Sequence, residues 1–335
     1  MVTPETSDAT QDGNTISGPL TLTIEHLTGP ARENLGDSAS LASERMMRII
    51  QIGADCRPDE APVHFVFTGD FIQSVKTRLG EGSSYDTQRG ANSTIARTMR
   101  RDDEGYDIIY DAAFLFSLAQ DPPEDIAALD AVLDHVAAHE PQHVAMAWTR
   151  TDAEHFQDLV TLEPVPRRFR KSMAIVIEEY RCERAANKIA PSASTRASAF
   201  HADIAHFRDS LNASLAICNS DISTALFIAM TAVSELWKAM GYLAAEVATV
   251  DDGQPPTEPD SSIQGWEPYV GEIWPVVRQI LALAPPANEP TTAQHLATVT
   301  ELLCKAVSYW MPTIGILYDY DEQLDESCYW TRPSF

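Results

Sequence analysis

Strand-like runs in this chain end at Tyr110, and from Asp121 onward the apolar residues recur at the three- and four-residue steps of helices. That segregation predicts an α+β protein, mostly helical, with a small N-terminal sheet followed by helices. Residues 20–24 alternate apolar side chains with Thr, and residues 63–67 form a short β-rich run between Pro62 and Gly69. Residues 94–100 and 106–110 flank Asp102-Asp103-Glu104-Gly105, the pattern of a hairpin. Helices are predicted over 32–52 and 71–79, the second stopped by Gly80. The next starts at Asp121-Pro122-Pro123-Glu124 and runs to about residue 149. Further helices are expected near 151–161, 167–190, 193–217, 221–248, 266–283 and 291–310. Residues 1–18 are polar and read as a disordered tail, and 251–262 as an acidic, Pro-rich linker.

Composition narrows the partners. Asp and Glu outnumber Lys and Arg 49 to 24, for a formal net charge of −25. Such a surface repels phosphate backbones and anionic membranes, so neither nucleic acid nor membrane is expected as a partner. No apolar run reaches the length of a membrane helix, and the N-terminus lacks the basic start and apolar core of a secretory signal. The five cysteines are scattered, with no CxxC pair, so no disulfide framework or cysteine zinc site is indicated. A reducing cytoplasm is the expected compartment.

One motif carries chemistry: His139-Glu140-Pro141-Gln142-His143, an HExxH. Residues four apart share a helix face, so both imidazoles can reach one zinc ion. The neighbouring Glu140 can then serve as general base toward water at the ion. Composition predicts only about 0.02 chance occurrences of the pattern. Leu129, Val132 and Val136 lead into the two histidines at helical steps, so the histidines continue an apolar stripe and should face inward. Pro141 interrupts the motif, removing a hydrogen bond to Ala137 and crowding its carbonyl. His135, one turn earlier, is within reach of the site but is expected in solvent or core. His155, His201 and His206 are undifferentiated candidates for stabilising an oxyanion.

A third protein ligand is needed, with one position left open. The helix predicted over 167–190 carries Glu178, Glu179 and Glu183. Its apolar face includes Ile175, Val176, Ala186 and Ala190. Glu179 and Glu183 share that face, whereas Glu178 falls with Lys171 and Arg181 on the solvent side. Two inward carboxylates call for cations or a metal, Arg168 and Arg184 being the candidate cations.

HExxH followed by a glutamate on a later helix resembles the gluzincin metallopeptidases. Glu179-Tyr180-Arg181-Cys182-Glu183-Arg184 is similar to the E-Y-x-A-D-R stretch of CAAX-type prenyl proteases and their bacterial relatives. That register implies Glu179 as third ligand and Glu183 as its support. Glu183-Arg184-Ala185-Ala186-Asn187 is similar to the E-x-x-A-N of ImmA/IrrE-type metallopeptidases, which implies Glu183 as the ligand. The resemblance covers residues 130–190. It implies a zincin-like domain over 19–190; the helix pattern adds a helical extension over 191–250 packed on it and C-terminal helices over 263–335. It further implies a Zn2+ cofactor on His139, His143 and Glu179, Glu140 as catalytic base, and a peptide or protein substrate paired to the strand near 94–111. The alternative expectation is a catalytically inactive zincin-like binding or regulatory module, its C-terminal helices being the protein-interaction surface. A hydrolase of non-peptide amides is a third. Trp237, Met240 and Tyr242 are expected in the core, and Trp266, Trp274, Tyr309 and Trp310 are expected to pack the two late helices onto the body. Asp251, Asp252, Glu258 and Asp260 read as a solvated linker.

Overall fold

A computed structural model describes residues 18–80, 82–89, 92–116, 122–191, 196–249, 259, 261–321 and 325–335. Residues 1–17, Asp121 and most of the acidic run 251–262 therefore fall outside the described residues. The first half alternates strands with helices: β1 (Leu20–Glu25), α1 (Gly29–Gly36), α2 (Leu41–Cys56), β2 (Val63–Thr68), α3 (Phe71–Leu79), β3 (Gln88–Arg89), β4 (Asn92–Ser93), β5 (Ala96–Arg100) and β6 (Tyr106–Asp111). Helices α4 (Pro123–Trp148), α5 (Ala153–Phe156), α6 (Pro164–Arg167), α7 (Arg170–Ile189), α8 (Arg196–Ile217) and α9 (Ile222–Thr249) follow. A π-helical turn over Glu267–Gly271, α10 (Trp274–Leu281), α11 (Ala293–Thr313) and a hairpin of β7 (Ile316–Asp321) and β8 (Asp325–Trp330) complete the order.

Four strands form a sheet in the order β1-β2-β6-β5. β1, β2 and β6 run parallel, and β5 pairs antiparallel with β6 as an outer strand. Alternation assigns the faces. Val63, Phe65 and Phe67 join Ile108, Tyr110 and Ala96 under α2 and α4. Val66 and Ile109 face Phe71 and Val75 of α3 on the other side. A larger core gathers α7, α8, α9, α10 and α11 around Trp237, Phe200, Phe207 and Trp310, whose indole N–H donates to the Tyr269 carbonyl at 2.9 Å. Among the described residues, no helix is long and apolar enough to cross a membrane.

Four expectations are corrected. The single helix over 32–52 is two helices, because Ser40 starts a new one by accepting a hydrogen bond from the Ser43 N–H at 3.1 Å. The C-terminal segment is not helical throughout. It ends in the β7–β8 hairpin, paired from Ile316 with Trp330 to Asp321 with Asp325. There burial alternates with the period of a strand: Ile316 is buried, Leu317 exposed, Tyr318 half-buried and Asp319 exposed. Tyr309 is 80% exposed, whereas Trp266, Trp274 and Trp310 are buried. Finally, Gly18 is buried and donates to the Asp59 carbonyl, so it belongs to the fold and not to a tail.

Candidate metal centre

Helix α4 is the hub between the two cores. Pro123 opens it with Glu124 and Asp125 in the first turn, where the helix dipole favours acids. It ends where Arg150 turns left-handed at φ 57°. Leu133, Ala137 and Val144 pack into the sheet core. Arg45 of α2 is buried and reaches Asp130 of α4 at 2.6 Å. Pro141 does not break the helix. It is buried beside α2 at Gly53, where a Cβ would meet the Phe65 ring at 2.8 Å and the Pro141 ring at 3.6 Å.

The other face of α4 carries His135, His139 and His143, one per turn, against α7. The motif histidines are neighbours, with ring centroids 5.3 Å apart. Glu179 Oε2 lies 3.3 Å from His139 Nε2 and 3.9 Å from His143 Nε2. Glu183 Oε2 lies 3.1 Å from His139 Nδ1 and 3.2 Å from His135 Nε2. Glu178 Oε1 lies 2.7 Å from His143 Nδ1, and its other oxygen accepts from the Ala153 N–H at the start of α5. Three histidines and three glutamates thus interdigitate between the two helices.

Two of these contacts depart from the sequence reading. Glu178 turns inward, and Arg181 is fully buried, donating to the carbonyls of Thr151 at 2.8 Å and Pro285 at 3.0 Å. Helix α7 is covered on that side by the loop after α10, so a charged residue there finds carbonyls in place of water. The inward carboxylates meet histidines, and Arg184 donates to the Ala284 carbonyl at 3.2 Å. His135 joins the cluster. Of the three undifferentiated histidines, His206 borders the same cleft and pairs with Glu235 at 3.2 Å. His155 pairs with Asp152, and His201 is exposed.

Helix α9 supplies what the sequence did not single out. Lys238 Nζ sits 2.6 Å from Glu179 Oε1, and the Tyr242 hydroxyl donates to Glu179 Oε2 at 2.8 Å. These residues, one turn apart, reach Glu179 because α7 and α9 approach closely at Gly241, where a Cβ would lie 3.2 Å from Val176 Cγ1. Tyr242 read as core for want of any polar partner visible along the chain. The i, i+4 spacing of Lys238 and Tyr242 was the available signal. Cys182 is also buried in this face, with its sulfur grouped with His139 and His143.

Electrostatics follow from burial and pairing. Burial opposes a charged His139, but hydrogen bonds to Glu179 and Glu183 outweigh it and raise its pKa to about 10. Burial likewise opposes a charged His143, and contacts with Cys182 and Glu178 override it. The Cys182 thiol is itself pushed up by burial. Glu179 would be raised by burial, but Lys238 and the two histidines hold it well below the usual carboxylate range. Glu183 is lowered too, by His135 and His139 against its burial. Without a metal, ring protons balance these carboxylates. A divalent cation can replace those protons, which is the chemistry of a metal-binding donor set. A buried group of two histidines and a glutamate, His135, His139 and Glu183, has one donor atom from each residue within 4.8 Å of the others, and so do His139, His143 and Cys182.

Glu140 does not face α7. Its carboxylate oxygen Oε2 accepts from the Thr98 hydroxyl of β5 at 2.8 Å. The cluster, Glu140 and β5 border one open cleft of about 730 Å³, with α8 and α9 forming the far wall. Comparison with protein-family models, with curated proteins and with solved structures finds no match for this chain.

Proposed function

We propose that this protein is a metal-dependent hydrolase, a zinc metallopeptidase in character, with His139, His143 and Glu179 as metal ligands and Glu140 as general base. The observation that carries the reading is Glu179 Oε2, 3.3 and 3.9 Å from the two motif imidazoles while Glu140 stands beside them on the cleft. Two imidazoles and a carboxylate suit Zn2+ and leave a position open. A zinc ion held by these residues would supply Lewis-acid chemistry, polarising the scissile carbonyl and acidifying the attacking water. Glu140 takes the proton of that water and passes it to the leaving amine. Glu183 and Glu178 hold the Nδ1 atoms of His139 and His143, which fixes both rings with Nε2 turned to Glu179. Tyr242 and Lys238 hold the Glu179 carboxylate.

The register with Glu179 as ligand is favoured over Glu183 because Glu179 alone approaches both motif histidines. The outer strand β5 gives the cleft an unpaired backbone edge, suited to an extended peptide added as a further strand. The second reading, a zincin-like binding module without turnover, draws on Pro141 inside the motif; an amide outside a peptide is a substrate variant of the first.

Glu140→Gln separates them. The amide keeps the shape and leaves no charge stranded, but it cannot take up the proton. Zinc content should stay at the wild-type level while hydrolysis of a quenched fluorescent peptide library falls about 10²–10⁴-fold. A Glu140→Gln protein with bound zinc and full hydrolytic activity would remove Glu140 from the mechanism. A zinc-loaded wild type inert toward the library moves the assignment to the binding module.

A further inference from the structure

The His139 ring offers more than a single ion at Glu179 uses. Its Nε2 faces Glu179 and its Nδ1 faces Glu183, so the two nitrogens address different carboxylates. One turn deeper, His135 Nδ1 lies 2.8 Å from the carbonyl of Ala190. A carbonyl only accepts, so Nδ1 is the donor there, and Nε2 is the nitrogen left to face the cleft. That Nε2 is buried, lies 3.2 Å from Glu183 Oε2 out of line for a hydrogen bond, and has no hydrogen-bond partner. An imidazole tied to a backbone carbonyl through its far nitrogen, with the near nitrogen unpartnered, is held as metal-binding histidines are held.

We propose that the cleft holds two divalent cations bridged by the His139 ring. The outer ion is the one on His139 Nε2, His143 and Glu179, and this half rests on the reading above. The deeper ion sits on His135 Nε2, His139 Nδ1 and Glu183, whose donor atoms already lie within 4.8 Å of one another. Bridging uses both nitrogens of His139 as donors, so the protons on them are released to solvent as the two ions bind. Mixed imidazole and carboxylate donors suit Zn2+ or Co2+, whereas Ca2+ and Mg2+ require oxygen. Glu183 then has two roles: it orients His139 when the outer ion is alone and ligates when both positions are filled.

The test is a count of ions on the metal-stripped, full-length protein. Co2+ is titrated in, its visible absorption is followed, and bound metal is quantified by mass spectrometry after dialysis. The wild type should take two ions per chain. His135→Asn, which keeps a donor toward the Ala190 carbonyl but lacks Nε2, should take one; His143→Ala should also take one, and His139→Ala none. Circular dichroism melts establish that each variant is folded, and Glu183→Gln replaces His135→Asn should that protein not fold. A wild type that saturates at one ion, retained in His135→Asn, overturns the pair and leaves the outer site standing. One ion that is lost in His135→Asn and kept in His143→Ala overturns the pair and the outer site together.

Discussion

The two faces of α4 are held in opposite ways. Toward the sheet, Leu133, Ala137 and Val144 pack against Phe65, Phe67 and Tyr110, a contact made of apolar area and little else. Toward α7, the same helix offers three histidines to three glutamates. The first contact stabilises the fold through burial, at roughly 25 cal/mol per Å². The second removes charged groups from water, and the attraction between partners commonly does no better than offset that loss. A packed apolar seam would join α4 to α7 at least as well. Stability does not by itself account for the polar face, and the proposed metal site would.

The largest effect should come from the apolar face. Phe65 is 1% exposed, and its ring lies against Gly53 of α2 near Pro141. Phe65→Ala should lower the unfolding free energy by about 3–5 kcal/mol in urea melts, through lost burial and the cavity left behind. The part of the sample that stays folded should keep its metal affinity. Equal losses of stability and affinity would mean that the two faces are not separable.

The polar face should respond in the opposite sense. Replacing His135, His139 and Glu183 together by leucine removes a buried ionic set as a unit. In the metal-free protein this should leave stability unchanged or raise it by about 1–4 kcal/mol. Metal binding should disappear. A large drop in metal-free stability would show that the histidine–glutamate seam is a structural joint, and the comparison drawn above would fail.

The apolar face was the easier one to read. Val63 to Phe67, the helix stop at Gly80 and the extent of α4 follow from local pattern, because burial against a neighbour imposes a period on the sequence. The HExxH spacing and the inward direction of Glu179 and Glu183 were legible for the same reason. Partners from distant elements were not. Lys238 and Tyr242 are about sixty residues from Glu179 and meet it only because Gly241 lets α9 approach α7. Glu178 and Arg181 were misplaced because helix phase alone cannot show that a loop covers the face it assigns to solvent. Pro141 reads as a disruption, yet α4 is unbroken through it and its ring is buried beside α2. The C-terminal hairpin was hidden by its short strands and by the helices before it.

The smallest expected effect tests the place where the two faces meet the cleft. Thr98 lies on β5 and is the link from the sheet edge to the motif. Its hydroxyl is 2.8 Å from Glu140 Oε2 and 2.9 Å from the Glu140 carbonyl, and its single proton can serve only one of them at a time. Thr98→Val keeps the shape and the β-branching, so the strand should be preserved. Stability should fall by about 1 kcal/mol, the ordinary worth of a hydrogen bond in this setting. Turnover is the sharper readout. Freed from Thr98, the Glu140 carboxylate samples other rotamers, and kcat should drop about tenfold while KM and zinc content hold. Thr98→Ser, which restores the hydroxyl, should recover most of that loss; a merely structural role for Thr98 would move the melting curve without moving kcat. If Thr98→Val turns over as fast as the wild type, the sheet edge positions nothing in the motif, and β5 is left with no role in the cleft beyond offering its backbone.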